Sequence, residues 1–290
     1  MLDDPDVSIV IVTWNSADDI RACLTGANAS LGSLKGEFIV VDNASSDETK
    51  SEISKAVSEG VHNINVILNN FNAGFAKASN QGILISKGRN ILLLNPDTEA
   101  VGDCIEALNL LLESDKKLGA VAPQLLNPDK SVQHSCRAFP EYSDIWLEFT
   151  MLPSMFPKNK FLSRWKMGNF SHSEQATVDQ PMAAALLVSG ELLRKLGGFD
   201  EQFVMFFNDV DLCKRIYENG FRIMFTPKAV MYHEKGASVK KRRTEMIDAW
   251  NEDCIRYFSK HFDRPVQNAL MGKALKASGA VRKLYHKATS

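Results

Sequence analysis

Ile91-Leu92-Leu93-Leu94-Asn95-Pro96-Asp97-Thr98-Glu99 runs four apolar residues into a sharp stop. A short apolar run bounded by turn formers predicts a strand buried on both faces. Pro96 cannot continue a ladder, so the strand ends at Asn95 and Asp97 is presented just beyond it. In an open parallel sheet, ligands sit outside the carboxyl ends of the strands. A carboxylate there is placed to hold a divalent cation against a phosphorylated ligand. An Asp after a strand is also an ordinary turn residue, bonding nearby backbone N–H groups, so the neighbouring segments have to decide between the two.

Upstream, strand and helix patterns alternate. Residues 7–12 are rich in β-branched side chains and end at Thr13-Trp14-Asn15-Ser16; helical spacing follows from about 18 to 29 through Ile20, Cys23, Leu24 and Ala27. Residues 38–41 predict a second strand ending at Asp42-Asn43, after which Ser45 and Glu48 have capping-box spacing for a helix to about residue 57. A third strand, 64–68, ends at Asn69-Asn70, and Asn72-Ala73-Gly74-Phe75 leads into a helix over about 76–86. Such alternation predicts a parallel sheet with right-handed crossovers. Every strand delivers polar residues at its carboxyl end: Thr13 and Asn15, Asp42 and Asn43, Asn69 and Asn70, Asn95 and Asp97. Four such ends on one rim describe a binding crevice.

No G-x-G-x-x-G follows the first strand and no G-x-x-x-x-G-K-[ST] occurs, which disfavours a dinucleotide fingerprint and a P-loop. Acidic and amide groups on the rim suit hydrogen bonds to a base and ribose, with a metal taking the diphosphate. Asp42 is a natural acceptor for a ribose hydroxyl or base N–H, and equally a residue that closes an Asx turn.

In the second half, a helix is written over 104–114, then a strand, turn and returning strand through 120–136. Residues 146–170 mix Trp146, Phe149, Met151, Phe156, Phe161 and Trp165 with Lys158, Lys160, Arg164 and Lys166. This suits a loop over the site or an interfacial membrane contact. Residues 183–188 read as a strand, and 191–196 as a short helix stopped by Gly197-Gly198. From Asp209 to about Asn219 the spacing of Leu212, Cys213, Ile216 and Tyr217 is helical, with Gly220 at C′. Asn208 then falls near the N-cap and Asp209 in the first turn, where the helix dipole favours an ionised carboxylate. An acid in a first turn is commonplace, but the apolar approach Met205-Phe206-Phe207 would set this one against a partly desolvated pocket. There it could take a proton from an alcohol nucleophile. A further strand, 221–225, precedes Thr226-Pro227-Lys228 and the run 229–232, ending at His233, where an imidazole can complete a metal site. The basic run Lys240-Lys241-Arg242-Arg243 covers a diphosphate or is simply solvated.

The bulk properties fit one large globular domain or two closely packed halves: 290 residues, 44% hydrophobic, 24% charged, net charge -1. No nucleic-acid-reading motif appears. Five cysteines without a C-x-x-C pair predict idle, reduced thiols rather than a zinc site. The opening Met1-Leu2-Asp3-Asp4-Pro5-Asp6 is acidic where a signal peptide needs a basic region, and no apolar run approaches the roughly 20 residues of a membrane span. A cytoplasmic protein is expected.

T-W-N after the first strand, V-V-D-N-A-S-S-D, N-A-G-F-A-K-A-S-N-Q-G, L-L-L-N-P-D-T-E, G-G-F-D-E, F-N-D-V-D-L-C-K-R and M-Y-H-E-K-G-A-S occur in this order. Together, over about residues 7–240, they resemble family 2 glycosyltransferases of the GT-A fold, in particular the bacterial rhamnosyltransferase-like branch. The resemblance implies a Rossmann-like α/β fold with a mostly parallel central sheet flanked by helices. It implies transfer of a sugar from a nucleoside diphosphate donor, with inversion and with Mg²⁺ or Mn²⁺. Asn95-Pro96-Asp97 stands where the family carries Asp-x-Asp, so Asp97 matches the metal-binding carboxylate while Asn95 replaces the first Asp as a donor contact. Thr13, Asn15, Asp42, Asn43 and Gly74 fall in the nucleotide-binding part, Asp209 matches the general base, and His233 the late metal ligand. Two departures lie near the sugar and acceptor: Asn208 stands where many relatives have Glu, and Gln180-Pro181-Met182-Ala183 replaces a more usual Trp-x-Ser-Gly.

The expected organisation is a GT-A domain over 1–262, with a nucleotide-binding half to about 100 and an acceptor half to 262, then a basic amphipathic helix over 263–290. Residues 264–290 hold six Lys or Arg and no acid, and Leu270, Ala274, Ala277, Val281 and Leu284 form a helical stripe. Such a helix suits an anionic bilayer surface on the inner face of the cytoplasmic membrane, bringing the enzyme to a saccharide or lipid-linked saccharide acceptor in cell-surface polysaccharide synthesis. It equally suits docking on its own domain or on a partner in a homodimer. Two rivals to a transferase remain open: a sugar-nucleotide pyrophosphorylase, which would normally carry a glycine-rich basic loop where Thr13-Trp14-Asn15-Ser16-Ala17-Asp18 stands, and a non-catalytic scaffold binding nucleotide sugar or glycan.

Overall fold

A computed structural model describes residues 4–150, 152–234 and 243–289. Met151 and nearly all of the basic run that follows His233 lie outside the described residues.

The elements follow in the order β1 (Val7–Thr13), α1 (Ile20–Ala29), β2 (Gly36–Asp42), α2 (Thr49–Ser58), β3 (Ile64–Leu68), α3 (Phe75–Ile85), β4 (Asn90–Leu94), β5 (Thr98–Val101) and α4 (Cys104–Glu113). Next come β6 (Leu118–Leu126), β7 (Val132–Gln133), β8 (Cys136–Arg137), α5 (Tyr142–Glu148), α6 (Leu152–Met155), β9 (Ala176–Thr177), β10 (Gln180–Pro181) and β11 (Ala185–Ser189). The chain closes with α7 (Gly190–Lys195), α8 (Asn208–Glu218), β12 (Arg222–His233), α9 (Arg243–His261) and α10 (Pro265–Thr289).

The main sheet runs β3-β2-β1-β4-β11-β6-β12-β5, with β7 added to β6 and β9 to β12. β3, β2, β1 and β4 are parallel neighbours, and β12 lies parallel to β6. β11 is inserted antiparallel between β4 and β6, and β5 closes the far edge antiparallel to β12. This is the mixed α/β sheet expected from the alternation. β1 and β4 are almost wholly buried because helices cover both sheet faces. One apolar cluster joins α1, α2 and α4 to one face, and a second joins α3, α7 and α8 to the other. The residues of α1 that pack inward are Ile20, Cys23, Leu24 and Ala27, as their spacing predicts.

Three local readings need correction. Ser45 and Glu48 form no capping box; the Ser45 hydroxyl instead accepts the Asn15 N–H at 2.9 Å, and Asp47 accepts the N–H of Thr49. The segments on either side of Thr226-Pro227-Lys228 are one strand, β12, because the register against β6 slips between Thr226 and Val230 and the proline sits in that irregularity. The N-cap of α8 is Phe207, at a left-handed φ of 59°, so Asn208 is the first helical residue. α10 packs on α9 through Met271 and Leu275, which are not part of the stripe read from sequence. Leu270 and Val281 face outward at 56% and 66% exposure. All five cysteines are buried and free.

Candidate active site

The loops after β1 and β2 are tied together beneath the rim. Thr13 Oγ1 donates to Asp42 Oδ1 at 3.2 Å, and the Ser45 N–H donates to Asp42 Oδ2 at 3.2 Å. Asp42 and Thr13 are fully buried, with Lys50 Nζ 3.9 Å from the carboxylate. Asn43 is buried as well. Its Oδ1 accepts from Asn69 Nδ2 and the Ala73 N–H, and its Nδ2 donates to the Gly74 carbonyl. Gly74, at φ 86°, makes the turn into α3 that few side chains could adopt. Asn15 is exposed and takes the Ser46 N–H at 2.9 Å, pinning the first loop to the second. These residues thus build the floor and wall of the rim, and Asp42 spends its oxygens on that framework.

Beyond β4, the Asn95 N–H donates to the Ala184 carbonyl of the chain leading into β11, while its own carbonyl accepts from Thr98 Oγ1 at 2.6 Å and Cys23 Sγ at 3.4 Å. Its side chain makes no hydrogen bond among the described residues and stays half-buried at the rim. Two residues on, Asp97 is brought to the end of β12 because β5 pairs Thr98 with His233 and the Glu234 N–H donates to the Asp97 carbonyl. Asp97 Oδ1 lies 3.5 Å from His233 Nε2 and, though buried, has no hydrogen-bond partner.

The histidine is oriented from behind. Gln133 Nε2 donates to Asn127 Oδ1 at 2.9 Å and to the His233 carbonyl at 3.3 Å, which turns Gln133 Oε1 to the ring at 2.7 Å from Nδ1. In the neutral ring Nδ1 therefore carries the proton, and Nε2 offers a lone pair toward Asp97. Two acceptors converging on one point suit a cation between them. Burial, with a smaller push from Glu234, raises the Asp97 carboxyl to about 6. Asp19 across the same cavity is raised to about 6 by burial and by Asp97, Glu234 and Asp18. The cavity measures about 330 Å³. No group of three or more His, Cys, Asp or Glu that could by itself hold a metal ion occurs among the described residues.

Asp209 sits half-buried in the first turn of α8. Its Oδ1 accepts the Val210 N–H at 2.8 Å, and its Oδ2 accepts Gln180 Nε2 at 2.9 Å. Burial raises its pKa; the N–H groups of Val210 and Ala183 and the charge of Arg137 oppose that rise. The approach loop is held rigidly: Asp253 on α9 accepts the N–H groups of Val204, Met205 and Phe206, and Phe207 packs on Trp250 and Tyr257. The chain leading into β11 passes near both aspartates: the Ala184 carbonyl accepts the Asn95 N–H, and the neighbouring Ala183 N–H lies close enough to Asp209 to lower its pKa.

The sequence profile described as Glycosyl transferase family 2 matches residues 8–172. The chain belongs to this family. It is 26% identical over 242 residues, 79% of this chain and 76% of its relative, to an N-acetylglucosaminyl-diphospho-decaprenol L-rhamnosyltransferase of Mycobacterium tuberculosis. It is 25% identical over 227 residues to a low-salt glycan biosynthesis hexosyltransferase of Haloferax volcanii, covering 77% of this chain and 64% of that one. Among solved structures, a mannosyltransferase from Pyrobaculum calidifontis in complex with GDP-Man and Mn²⁺ superposes with a TM-score of 0.60 at 18% identity, over 97% of this chain and 76% of that one. The S. aureus TarS 1–349 structure with UDP-GlcNAc gives 0.57 at 15% identity, over 90% of this chain and 69% of that one. The fold is GT-A.

Within this family 2 glycosyltransferase, three supporting residues escape sequence reasoning. Gln133 lies on a two-residue strand, too short to carry a pattern, and only its position beside β12 gives it the His233 ring. Asp253 sits in a long helix among ordinary polar residues. Gln180 stands out in the sequence only as a departure from the usual Trp-x-Ser-Gly; in the fold it is the side chain that holds Asp209.

Proposed function

We propose that this glycosyltransferase moves a hexosyl group, with inversion, from a UDP- or dTDP-linked donor to a hydroxyl of a lipid-linked saccharide. The observation that carries the reading is the approach of Asp97 Oδ1 to His233 Nε2 at 3.5 Å, with Asp209 held separately by Val210 and Gln180 in the first turn of α8. dTDP-rhamnose is the first donor to test, because the mycobacterial relative is a rhamnosyltransferase acting on a diphospho-decaprenol saccharide.

Asp97 and His233 would hold Mg²⁺ or Mn²⁺ at the donor diphosphate. When bound, a divalent ion offsets the negative charge that grows on the leaving diphosphate. Gln133 keeps the His233 lone pair aimed at that point, and Asn95 offers its free amide to the donor. On the acceptor side, Asp209 takes the proton of the attacking hydroxyl through the part of its carboxylate that Val210 and Gln180 leave accessible. General-base help of this kind contributes about 10²–10⁴-fold.

A lipid-linked acceptor would be met at one face of the molecule. Trp146, Met155, Phe156 and Phe161 are exposed around α5 and α6, and the outward face of α10 carries Val266, Leu270, Lys273 and Lys276. Tyr142 Oη donates to Asn268 Oδ1 at 2.6 Å, which joins α5 to α10. Aromatic side chains beside cations favour the headgroup region of an anionic bilayer. No described helix is long and apolar enough to cross a membrane.

Incubation of the protein with radiolabelled dTDP-rhamnose or UDP-hexose, Mn²⁺ and a polyprenyl-diphosphate saccharide tests the reaction. Wild type should form a labelled lipid product, and Asp209→Asn should lose transfer while retaining Mn²⁺-dependent nucleotide binding. Normal transfer by Asp209→Asn would remove it as the base.

A further inference from the structure

Arg137 is a half-buried cation with no carboxylate or hydrogen-bond partner among the described residues. It lies on β8, directly across a two-residue antiparallel ladder from Gln180 on β10. Its guanidinium makes no hydrogen bond and has no carboxylate within 4 Å among the described residues; its recorded contact is with the face of Trp165, 5.9 Å from Cζ to the ring centroid. Burial lowers its pKa, and the more distant charges of Asp209 and Glu148 oppose the shift. An arginine whose N–H groups find no acceptor among the described residues keeps its fork available to take an oxyanion in two parallel bonds.

The surroundings are also short of partners. Gln180, 4% exposed, has no partner for Oε1, while its Nε2 holds Asp209. The buried Nε1 of Trp165 has none, and neither amide atom of Asn208, 4% exposed and adjacent to Asp209, is bonded. Buried polar atoms are normally satisfied, and three of the five residues that break the rule among those described gather about Arg137 and Asp209.

We propose that Arg137, beside Trp165 and opposite Gln180, binds the diphosphate of the acceptor, holding the acceptor sugar against Asp209. The proposal rests on Asp209 being the acceptor-side base, since the donor diphosphate is assigned to Asp97 and His233 at the end of β12. It also gives the exposed aromatics a purpose: α5, which carries Trp146, ends at Glu148, whose charge reaches Arg137. A lipid joined to that diphosphate would leave over α5 and α6.

Calorimetric titration with inorganic pyrophosphate in EDTA tests this, because chelation removes metal-held binding at Asp97. Wild type should bind pyrophosphate, and Arg137→Gln should weaken binding at least about tenfold, the loss expected for a charge-assisted pair. Arg137→Gln should still bind dTDP or UDP with Mn²⁺, which checks its fold. Should that variant melt early, Arg137→Lys carries the comparison, with a several-fold loss expected from breaking the fork. Absence of pyrophosphate binding by wild type, or equal binding by the variants, would overturn the proposal. Tighter binding of glucuronate than of pyrophosphate would overturn the choice of diphosphate over carboxylate. Failure of the transferase reading would appear as absent labelled product in the donor assay, leaving this metal-free titration unaffected.

Discussion

Gln180 Nε2 donates to Asp209 Oδ2 at 2.9 Å, across 29 residues of sequence. A hydrogen bond to the ionised carboxylate favours that form and works against the burial that raises its pKa. Replacing Gln180 by Leu removes the donor, so the Asp209 pKa should rise further. A base acts only when ionised, so the acidic limb of the kcat profile should move to higher pH. A pH–rate series of Gln180→Leu against wild type measures the shift; an unmoved limb would show that Gln180 only fills space.

Gln133 and Asp97 separate orientation from ligation at the His233 side. Asp97→Ala should abolish the Mn²⁺-dependent gain in nucleotide affinity. Gln133→Leu leaves both ligands in place but frees the imidazole to rotate or change tautomer, and should weaken metal affinity about 10–100-fold. Thermal shift with dTDP across a Mn²⁺ series reads both variants.

Asp211 predicts how the fold responds to acid. It is fully buried, with Arg215 Nε at 2.8 Å, Lys260 Nζ at 2.6 Å and His261 Nε2 at 2.8 Å, a cluster that ties α8 to α9. Burial alone would raise its carboxyl; the bond from His261 and the charges of Arg215 and Lys260 outweigh burial and hold it at about 2. A depressed carboxylate stabilises the fold above its unfolded pKa of about 3.9, and that contribution is lost as pH falls toward about 2. It amounts to something on the order of 2 kcal/mol. Urea midpoints of Asp211→Asn and wild type should therefore differ most at pH 7, by less at pH 3, and draw together only as pH falls to about 2.

On the proposed membrane face, Lys273→Glu with Lys276→Glu removes two cations from the exposed side of α10 without touching Met271 or Leu275. Each cation near an anionic surface is worth about 1 kcal/mol. Co-sedimentation with phosphatidylserine vesicles should fall at least tenfold, and Phe161→Asp should weaken binding to neutral vesicles as well. Unchanged sedimentation of both would leave this face solvated.

Local chemistry made most of the framework readable from sequence. Hydrophobic period and turn residues marked β1, α1, β4 and α4, because each is set within a dozen residues by burial pattern and by Asn, Asp, Pro and Gly at its ends. The motif order also identified the family. Pairing was decided elsewhere: whether β11 runs beside β4, or Asp97 meets His233, depends on which strand edges remain open after the helices have packed. Nothing in Thr98–Val101 marks it as the strand that closes the sheet against β12, yet that ladder brings Asp97 to the imidazole. Which residues of α10 dock on α9 was likewise not legible, since small and apolar residues occur all round the helix and only packing selected Met271 and Leu275. Residue type limits what a side chain can do, but long-range packing chooses its neighbour, and here the neighbours Gln133, Gln180 and Arg137 are supplied by the tertiary fold alone.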